Sequence, residues 1–229
     1  MRSMSLWTRI ADAISALALG EGLSAIFDNL RTPPERTAAF AIAVIALGAK
    51  MAKADGMVTR DEVTAFREVF HIPKVEEPNA ARVYNLARQD IAGFEDYAHK
   101  IKAMYGAENE TLNDLFEGLF HIALADGSYH PGEDEFLIRV ADIFGFTDQT
   151  FSRLRAQFVP DATRDPYDVL GVTPDAPLGH IKSAWRTLVR ESHPDRMLAR
   201  GVPAEAIQLA EKRLIAINQA WDSIQDMRP

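Results

Sequence analysis

The sequence contains no cysteine among its 229 residues. A chain without thiols cannot form a disulfide or a cysteine-ligated zinc site, and this lack is typical of proteins that work in a reducing compartment. The chain also has no run of about 20 largely apolar residues, which is the length that a membrane-spanning helix requires. These two absences predict a cytoplasmic protein.

Positive charge and catalytic motifs are scarce as well. The chain has 25 Lys and Arg against 33 Asp and Glu, a net charge of −8, which argues against a protein that binds nucleic acid. It has no glycine-rich nucleotide-binding motif, no HExxH pair and no GxSxG elbow. The sequence therefore predicts a chain that is not an enzyme and that binds no cofactor.

The stretch 181–196 reads IKSAWRTLVRESHPDR and predicts an amphipathic helix followed by a turn. One face is apolar at helical spacing and should be buried; its residues are Ile181, Ala184, Trp185 and Leu188. A second face is basic, because Lys182, Arg186 and Arg190 repeat every four residues. A regular row of like charges gains nothing by itself, which favours a surface that docks on an acidic partner.

The tripeptide His193-Pro194-Asp195 should end this helix. Proline lacks an N–H and disfavours a helical conformation in the residue before it, so we expect the helix to stop near Ser192. Asp195 should then project from a stiff turn beside the basic face, with Arg196 next to it. No nucleophile accompanies His193, which favours a docking role over a catalytic one.

With its flanks, this segment resembles a J domain, the DnaJ-type module that stimulates ATP hydrolysis by DnaK-type chaperones. The resemblance rests on Tyr167, Leu170 and Gly171 upstream, on the basic helix and on the His-Pro-Asp tripeptide. The runs 197–205 and 217–221 are similar to the DjlA-like type III co-chaperones. In that family a C-terminal J domain follows a tellurite-resistance TerB-like domain.

The resemblance implies an all-α protein with a DnaK-type chaperone as its partner. It implies that His193, Pro194 and Asp195 engage the partner when the complex becomes competent for hydrolysis. The basic residues should steer and hold an acidic surface on that partner; they are Lys182, Arg186, Arg190 and Arg196. Six residues are expected to form the small core of the J domain: Tyr167, Leu170, Trp185, Leu188, Leu214 and Ile217.

The expected organisation has four parts. Residues 1–31 form an N-terminal amphipathic segment, 35–158 a TerB-like helical bundle, 159–165 a linker bracketed by prolines, and 166–229 the J domain. Within the bundle, the apolar run from Thr37 to Ala49 is too short to span a bilayer and predicts a buried central helix.

An internal repeat marks the bundle. Ala54-Asp55-Gly56 recurs as Ala125-Asp126-Gly127, and Glu62 and Glu133 each follow seven residues after the aspartate. Two interpretations stay open. Asp-Gly is a turn signal and each glutamate could cap a helix, or Asp55, Glu62, Asp126 and Glu133 could bind a hard cation through their oxygens. Capping is the stronger interpretation, because few other oxygens lie between each pair.

The segment 5–30 also has two interpretations. Its apolar residues recur at helical spacing, with Trp7 at one edge, so the segment could lie on a membrane surface and make the protein peripheral on the inner membrane. Alternatively it packs on the next domain, which its lack of a basic polar face favours. The predicted function is that of a co-chaperone; the alternative is a cation-binding stress protein of the tellurite-resistance kind with an accessory J domain.

Overall fold

The computed structural model describes residues 5–17, 21–30, 35–54, 66–67, 69–90, 93–106, 109–159 and 165–228. Over these residues the chain is all-α and has no strand, as the sequence predicts. The first part contains α1 (Leu6–Ser15), α2 (Ile26–Asn29), α3 (Glu35–Ala54), α4 (Glu77–Gln89), α5 (Phe94–Tyr105), α6 (Asn109–Ala123), α7 (Pro131–Phe144) and α8 (Asp148–Phe158). The second part contains α9 (Pro166–Leu170), α10 (Leu178–Glu191), α11 (Pro194–Ala199) and α12 (Gln208–Met227). Short 3₁₀ turns lie at Leu23–Ala25, Lys74–Glu76 and Ala204–Ala206.

Helix α3 is the centre of the first part. The apolar run from Thr37 to Ala49 lies within it, and every residue from Ala38 to Leu47 is fully buried. A helix that is apolar on all sides must be covered on all sides, and α3 packs on α1, α4, α5 and α6. The prediction of a buried central helix is confirmed.

Helix α1 packs on this centre through its apolar face. Trp7 and Ile10 are buried in the same hydrophobic cluster as α3, and the Trp7 ring meets Phe70 edge-on with centroids 6.3 Å apart. The Ser5 hydroxyl caps the helix by accepting from the Thr8 N–H at 3.1 Å. The packing that the sequence favoured for this segment is therefore present. No helix in the described part of the chain is both long and apolar enough to cross a bilayer.

The second unit of the repeat forms a helical hairpin from α6 to α7. Gly127 in its turn has φ +88°, a left-handed conformation that favours glycine. The carboxylate of Glu133 accepts from the His130 N–H at 2.9 Å and so caps α7, as the sequence predicts. The first unit, with Asp55 and Glu62, lies outside the described residues.

The second part has a small core of its own between α9, α10 and α12. Tyr167, Leu170 and Ile217 are buried in it, and Leu188 packs against it half-buried. The rings of Trp185 and Trp221 stack at 5.2 Å with an interplanar angle of 15°, and the Trp185 indole N–H donates to the Asn218 side-chain oxygen at 2.9 Å.

One residue predicted for this core does not belong to it. Leu214 is half-buried and lies outside the cluster. It occupies the turn of α12 between Leu209, which enters the larger cluster around α3, and Ile217, which enters the small core. Helix α12 thus contributes to two hydrophobic clusters, and Leu214 lies between them.

Candidate docking surface

Helix α10 has the two faces that its sequence predicts. Ile181 is fully buried, and Trp185 and Leu188 are half-buried against the small core. The three basic side chains are exposed on another face; they are Lys182, Arg186 and Arg190. Burial of the apolar stripe therefore fixes which way the basic strip points.

The helix ends where proline requires it to end. Glu191 is its last residue and Ser192 its C-cap. His193 is extended at φ −65° and ψ 134°, and Pro194 is the first residue of α11. An extended residue before proline and proline at the first helical position are both expected. The turn therefore joins α10 to the short helix α11 with a backbone that the sequence itself specifies.

His193 caps α11 with its ring. Its Nδ1 atom accepts the Asp195 N–H at 3.2 Å, which places the proton of a neutral imidazole on Nε2. The Asp195 carboxylate lies 3.6 Å from the same Nδ1 atom. The His193 side chain is 58% exposed and the Asp195 side chain 84% exposed. Nε2 is therefore the ring nitrogen left to donate to a partner, and the carboxylate beside it can accept.

Arg196 extends the same surface. Its side chain is exposed on α11, as are Leu198 and Ala199, whereas Met197 between them is fully buried. The structure thus places the predicted residues on one continuous stretch of α10, turn and α11. Six of the seven side chains are exposed, and Pro194 is half-buried. An exposed row of cations next to an exposed carboxylate and imidazole suits docking on a charged protein surface.

Sequence reasoning missed what lies behind the turn. Met197 belongs to the large hydrophobic cluster of the first part, not to the small core. Arg200, just after α11, forms an ion pair with Asp114 of α6 at 2.7 Å, and Arg213 of α12 pairs with Asp114 and Glu117. The available signal was that Asp114 and Glu117 stand among the apolar residues of α6 that recur at helical spacing, such as Leu115, Phe116 and Leu119.

The alternative cation site is described only in part. The Oδ1 atom of Asp126 accepts the Ser128 N–H at 2.9 Å, and Glu133 caps α7. Each carboxylate thus has a backbone partner, as the turn-and-cap interpretation expects. Within the described ranges no group of three or more His, Asp or Glu side chains is arranged to bind a metal; Asp55 and Glu62 lie outside those ranges.

Comparison with protein families divides the chain in the order that the sequence predicts. Residues 41–156 match the family described as Tellurite resistance protein TerB. Residues 165–228 match the DnaJ domain. The His-Pro-Asp turn and the basic helix lie inside the second match.

Several curated relatives carry the name Co-chaperone protein DjlA. The protein of Photobacterium profundum is 27% identical over 90% of this chain and 84% of its own length. That of Aliivibrio fischeri is 26% identical over 83% and 79%, and that of Escherichia coli K12 is 22% identical over 98% and 99%. No solved structure matches the chain. The resemblance predicted from the sequence is confirmed: the chain belongs to the TerB family, and its TerB domain is followed by a C-terminal DnaJ domain.

Proposed function

We propose that this protein is a co-chaperone whose J domain binds a DnaK-type chaperone and stimulates ATP hydrolysis by that chaperone. The observation that carries the proposal is the exposed His193-Pro194-Asp195 turn at the end of an exposed basic helix, inside a matched DnaJ domain. The co-chaperone name of the relatives supports the same function.

The basic strip acts first in this proposal. Lys182, Arg186 and Arg190 attract an acidic surface of the partner, which raises the encounter rate and fixes the orientation more than it adds affinity. The overall charge of the chain is −8, so the attraction must come from this local strip. Arg196 adds a fourth cation where α11 begins.

The turn acts in the second step. His193 and Asp195 contact the partner in its hydrolysis-competent state and so shift the partner toward a state that it already samples. The bond that breaks belongs to the ATP on the partner. The chain itself is therefore not an enzyme in this proposal, and it acts in the cytoplasm, where DnaK-type chaperones bind ATP.

Two earlier alternatives have less support. Membrane contact through residues 5–30 would have to use an apolar face that includes Trp7 and Ile10, which are buried. A cation at the repeat would have to compete with backbone groups for Asp126 and Glu133. Both alternatives stay predictions.

A single-turnover ATPase assay with a DnaK-type chaperone and the full chain tests the proposal. We expect Asp195→Asn to abolish stimulation and to leave the helical circular dichroism and the melting temperature unchanged, because this side chain is exposed and the cap uses only its backbone N–H. Asp222→Asn, at an exposed position of α12, is the matched control and should stimulate like the unaltered chain. Full stimulation by Asp195→Asn would contradict the proposal.

A further inference from the structure

Two acidic side chains of the TerB domain are completely buried against the DnaJ domain. Asp114 and Glu117 lie on α6 with no exposed surface. Both carboxylates pair with arginines of the other domain: Arg200 follows α11, and Arg213 lies on α12. The exposed fraction of these two arginine side chains is 14% and 12%. The four residues form a buried ionic cluster between the domains, which we call the interdomain clamp.

The hydrogen bonds of the clamp engage both oxygens of Asp114. Arg200 donates to its Oδ2 from Nε at 3.0 Å and from Nη2 at 2.7 Å. Arg213 donates to its Oδ1 from Nη2 at 2.7 Å and to Glu117 Oε2 from Nε at 2.6 Å. Arginine can only donate and an ionised carboxylate can only accept, so the geometry fits four charged groups.

Burial makes such a cluster costly unless every charge is paired. Burial raises the pKa of Asp114, and Arg213 and Arg200 oppose that rise by favouring the ionised form. Buried ion pairs add little stability compared with apolar residues of the same size, but they strongly disfavour any arrangement that leaves one charge buried without its partner. The clamp therefore specifies how the two domains sit together more than it strengthens their contact.

The clamp reaches the docking turn through Arg200. Besides binding Asp114, this side chain donates from Nη1 to the Glu191 carbonyl, the last residue of α10, at 3.3 Å. Its backbone N–H donates to the Arg196 carbonyl at 3.1 Å. Arg200 thus ties the end of α10 and the end of α11 to one buried carboxylate of the TerB domain.

An apolar contact supports the same segment. Met197 is fully buried in the hydrophobic cluster of the TerB domain, together with Val202, Ala206 and Leu209. The Met197 N–H donates to the His193 carbonyl at 3.2 Å, so the buried residue is bonded directly to the turn. The basic strip, His193, Asp195 and Arg196 stay exposed. The TerB domain therefore contacts α11 from behind and leaves the docking surface open.

We propose that Asp114 and Arg200 are positioning residues, through which the TerB domain fixes the His-Pro-Asp turn in the geometry that acts on the partner chaperone. The docking surface is then a property of both domains, not of the DnaJ domain alone. The effect on ATP hydrolysis rests on the proposed function; the effect on the turn does not.

Arg200→Gln in the full chain tests the proposal with two measurements. In the single-turnover assay, we expect the concentration for half-maximal stimulation to stay within about twofold, because the basic strip that sets encounter is untouched. Maximal stimulation should fall about tenfold, since a His-Pro-Asp turn in the wrong geometry stimulates less even when the complex with the partner has formed. A variant that was merely partly unfolded would raise the concentration for half-maximal stimulation and keep the maximal stimulation. A higher concentration of such a variant compensates for its smaller folded fraction.

Amide hydrogen exchange is the second measurement and needs no partner. Exchange at the backbone amides of residues 197 and 200 should rise at least about tenfold in Arg200→Gln relative to the unaltered chain, because this segment loses its contact with Asp114, while α3 stays protected. Arg155→Gln is the matched control: it removes a half-buried arginine that pairs with Asp134 at 3.0 Å inside the TerB domain. It should change neither the maximal stimulation nor the exchange at these two amides.

Several outcomes decide the matter. Unchanged maximal stimulation or unchanged exchange in Arg200→Gln overturns the positioning role. If the unaltered chain does not stimulate any DnaK-type chaperone, the proposed function fails, and exchange alone decides the positioning role. If Arg200→Gln does not fold, Arg200→Lys replaces it. Lysine keeps a cation beside Asp114 but cannot bind Asp114 and the Glu191 carbonyl together as the guanidinium does. Maximal stimulation and amide exchange should then lie between those of the unaltered chain and those expected for Arg200→Gln. Unaltered values in Arg200→Lys would then overturn the proposal.

Discussion

At the scale of single residues, His193 contributes a cap as well as an exposed ring. Its Nδ1 atom accepts the Asp195 N–H and so caps α11, while the side chain remains 58% exposed. The sequence predicts the extended backbone here, because Pro194 follows. It does not predict the cap, because histidine is not among the residues that usually cap helices.

Two substitutions separate the two contributions of His193. His193→Ala removes the cap and should lower the free energy of unfolding by about 1 kcal/mol. His193→Asn supplies a side-chain oxygen at the cap, where asparagine is among the most favoured residues, and should not lower the free energy of unfolding. Neither variant should stimulate ATP hydrolysis, because both lack the imidazole. Urea unfolding and the single-turnover assay check these expectations; stimulation restored by asparagine would show that the cap is the whole role of His193.

At the scale of elements, α10 was predictable because two periodic patterns and one proline define it. The apolar stripe and the basic strip follow the helical repeat, and Pro194 sets the end at Glu191. Helix α6 was less predictable. Its apolar spacing indicates a buried helix, but the partners of Asp114 lie 86 and 99 residues away along the chain, and local periodicity carries no information on such pairs.

The basic strip of α10 should act on the rate of association. Arg186→Glu should slow binding to a DnaK-type partner, because charges at the rim of an interface act mainly on the on-rate. The unaltered chain should bind more slowly as salt rises, since the Debye length falls from about 10 Å at 0.1 M to about 3 Å at 1 M. The variant should lose most of this salt dependence. Stopped-flow binding over a salt series measures both effects.

A matched variant controls for net charge in that series. Lys74→Glu changes the total charge by the same amount at an exposed position of the TerB domain. It should keep the on-rate and the salt dependence of the unaltered chain. If Arg186→Glu and Lys74→Glu behaved alike, the strip would be an ordinary solvated face rather than a docking surface.

At the scale of the whole molecule, the order of the two domains was predictable and their contact was not. The boundaries drawn from the sequence, with a linker at 159–165, stay a prediction, since residues 160–164 lie outside the described part. The contact depends on Arg200, Arg213 and an apolar segment that begins at Met197. In the sequence these residues look like the polar surface and local core of a small domain, because the partner that buries them is far away in the chain.

This contact predicts that the two domains unfold together. The hydrophobic cluster of the TerB domain includes Met197, Val202 and Leu209 of the DnaJ domain, so loss of one domain exposes the core of the other. Trp7→Phe leaves Trp185 and Trp221 as the only tryptophans, and fluorescence then reports on the DnaJ domain alone. Circular dichroism reports on the whole chain. In this variant the two probes should give coincident thermal transitions, which is the test of a single cooperative unit.

Arg213→Met, added to Trp7→Phe, should separate the two transitions. It leaves Glu117 buried without its guanidinium partner and removes one of the two partners of Asp114. Breaking a buried pair in this way costs about 3–5 kcal/mol. The cost weakens the association of the two domains and leaves the hydrophobic core of each domain unchanged, because the unpaired carboxylates regain water when the domains separate. Fluorescence should therefore change at a lower temperature than the main change in circular dichroism. Separate transitions already in Trp7→Phe would show that the contact is too weak to couple the domains, whereas coincident transitions after Arg213→Met would show that the apolar segment couples them without the clamp.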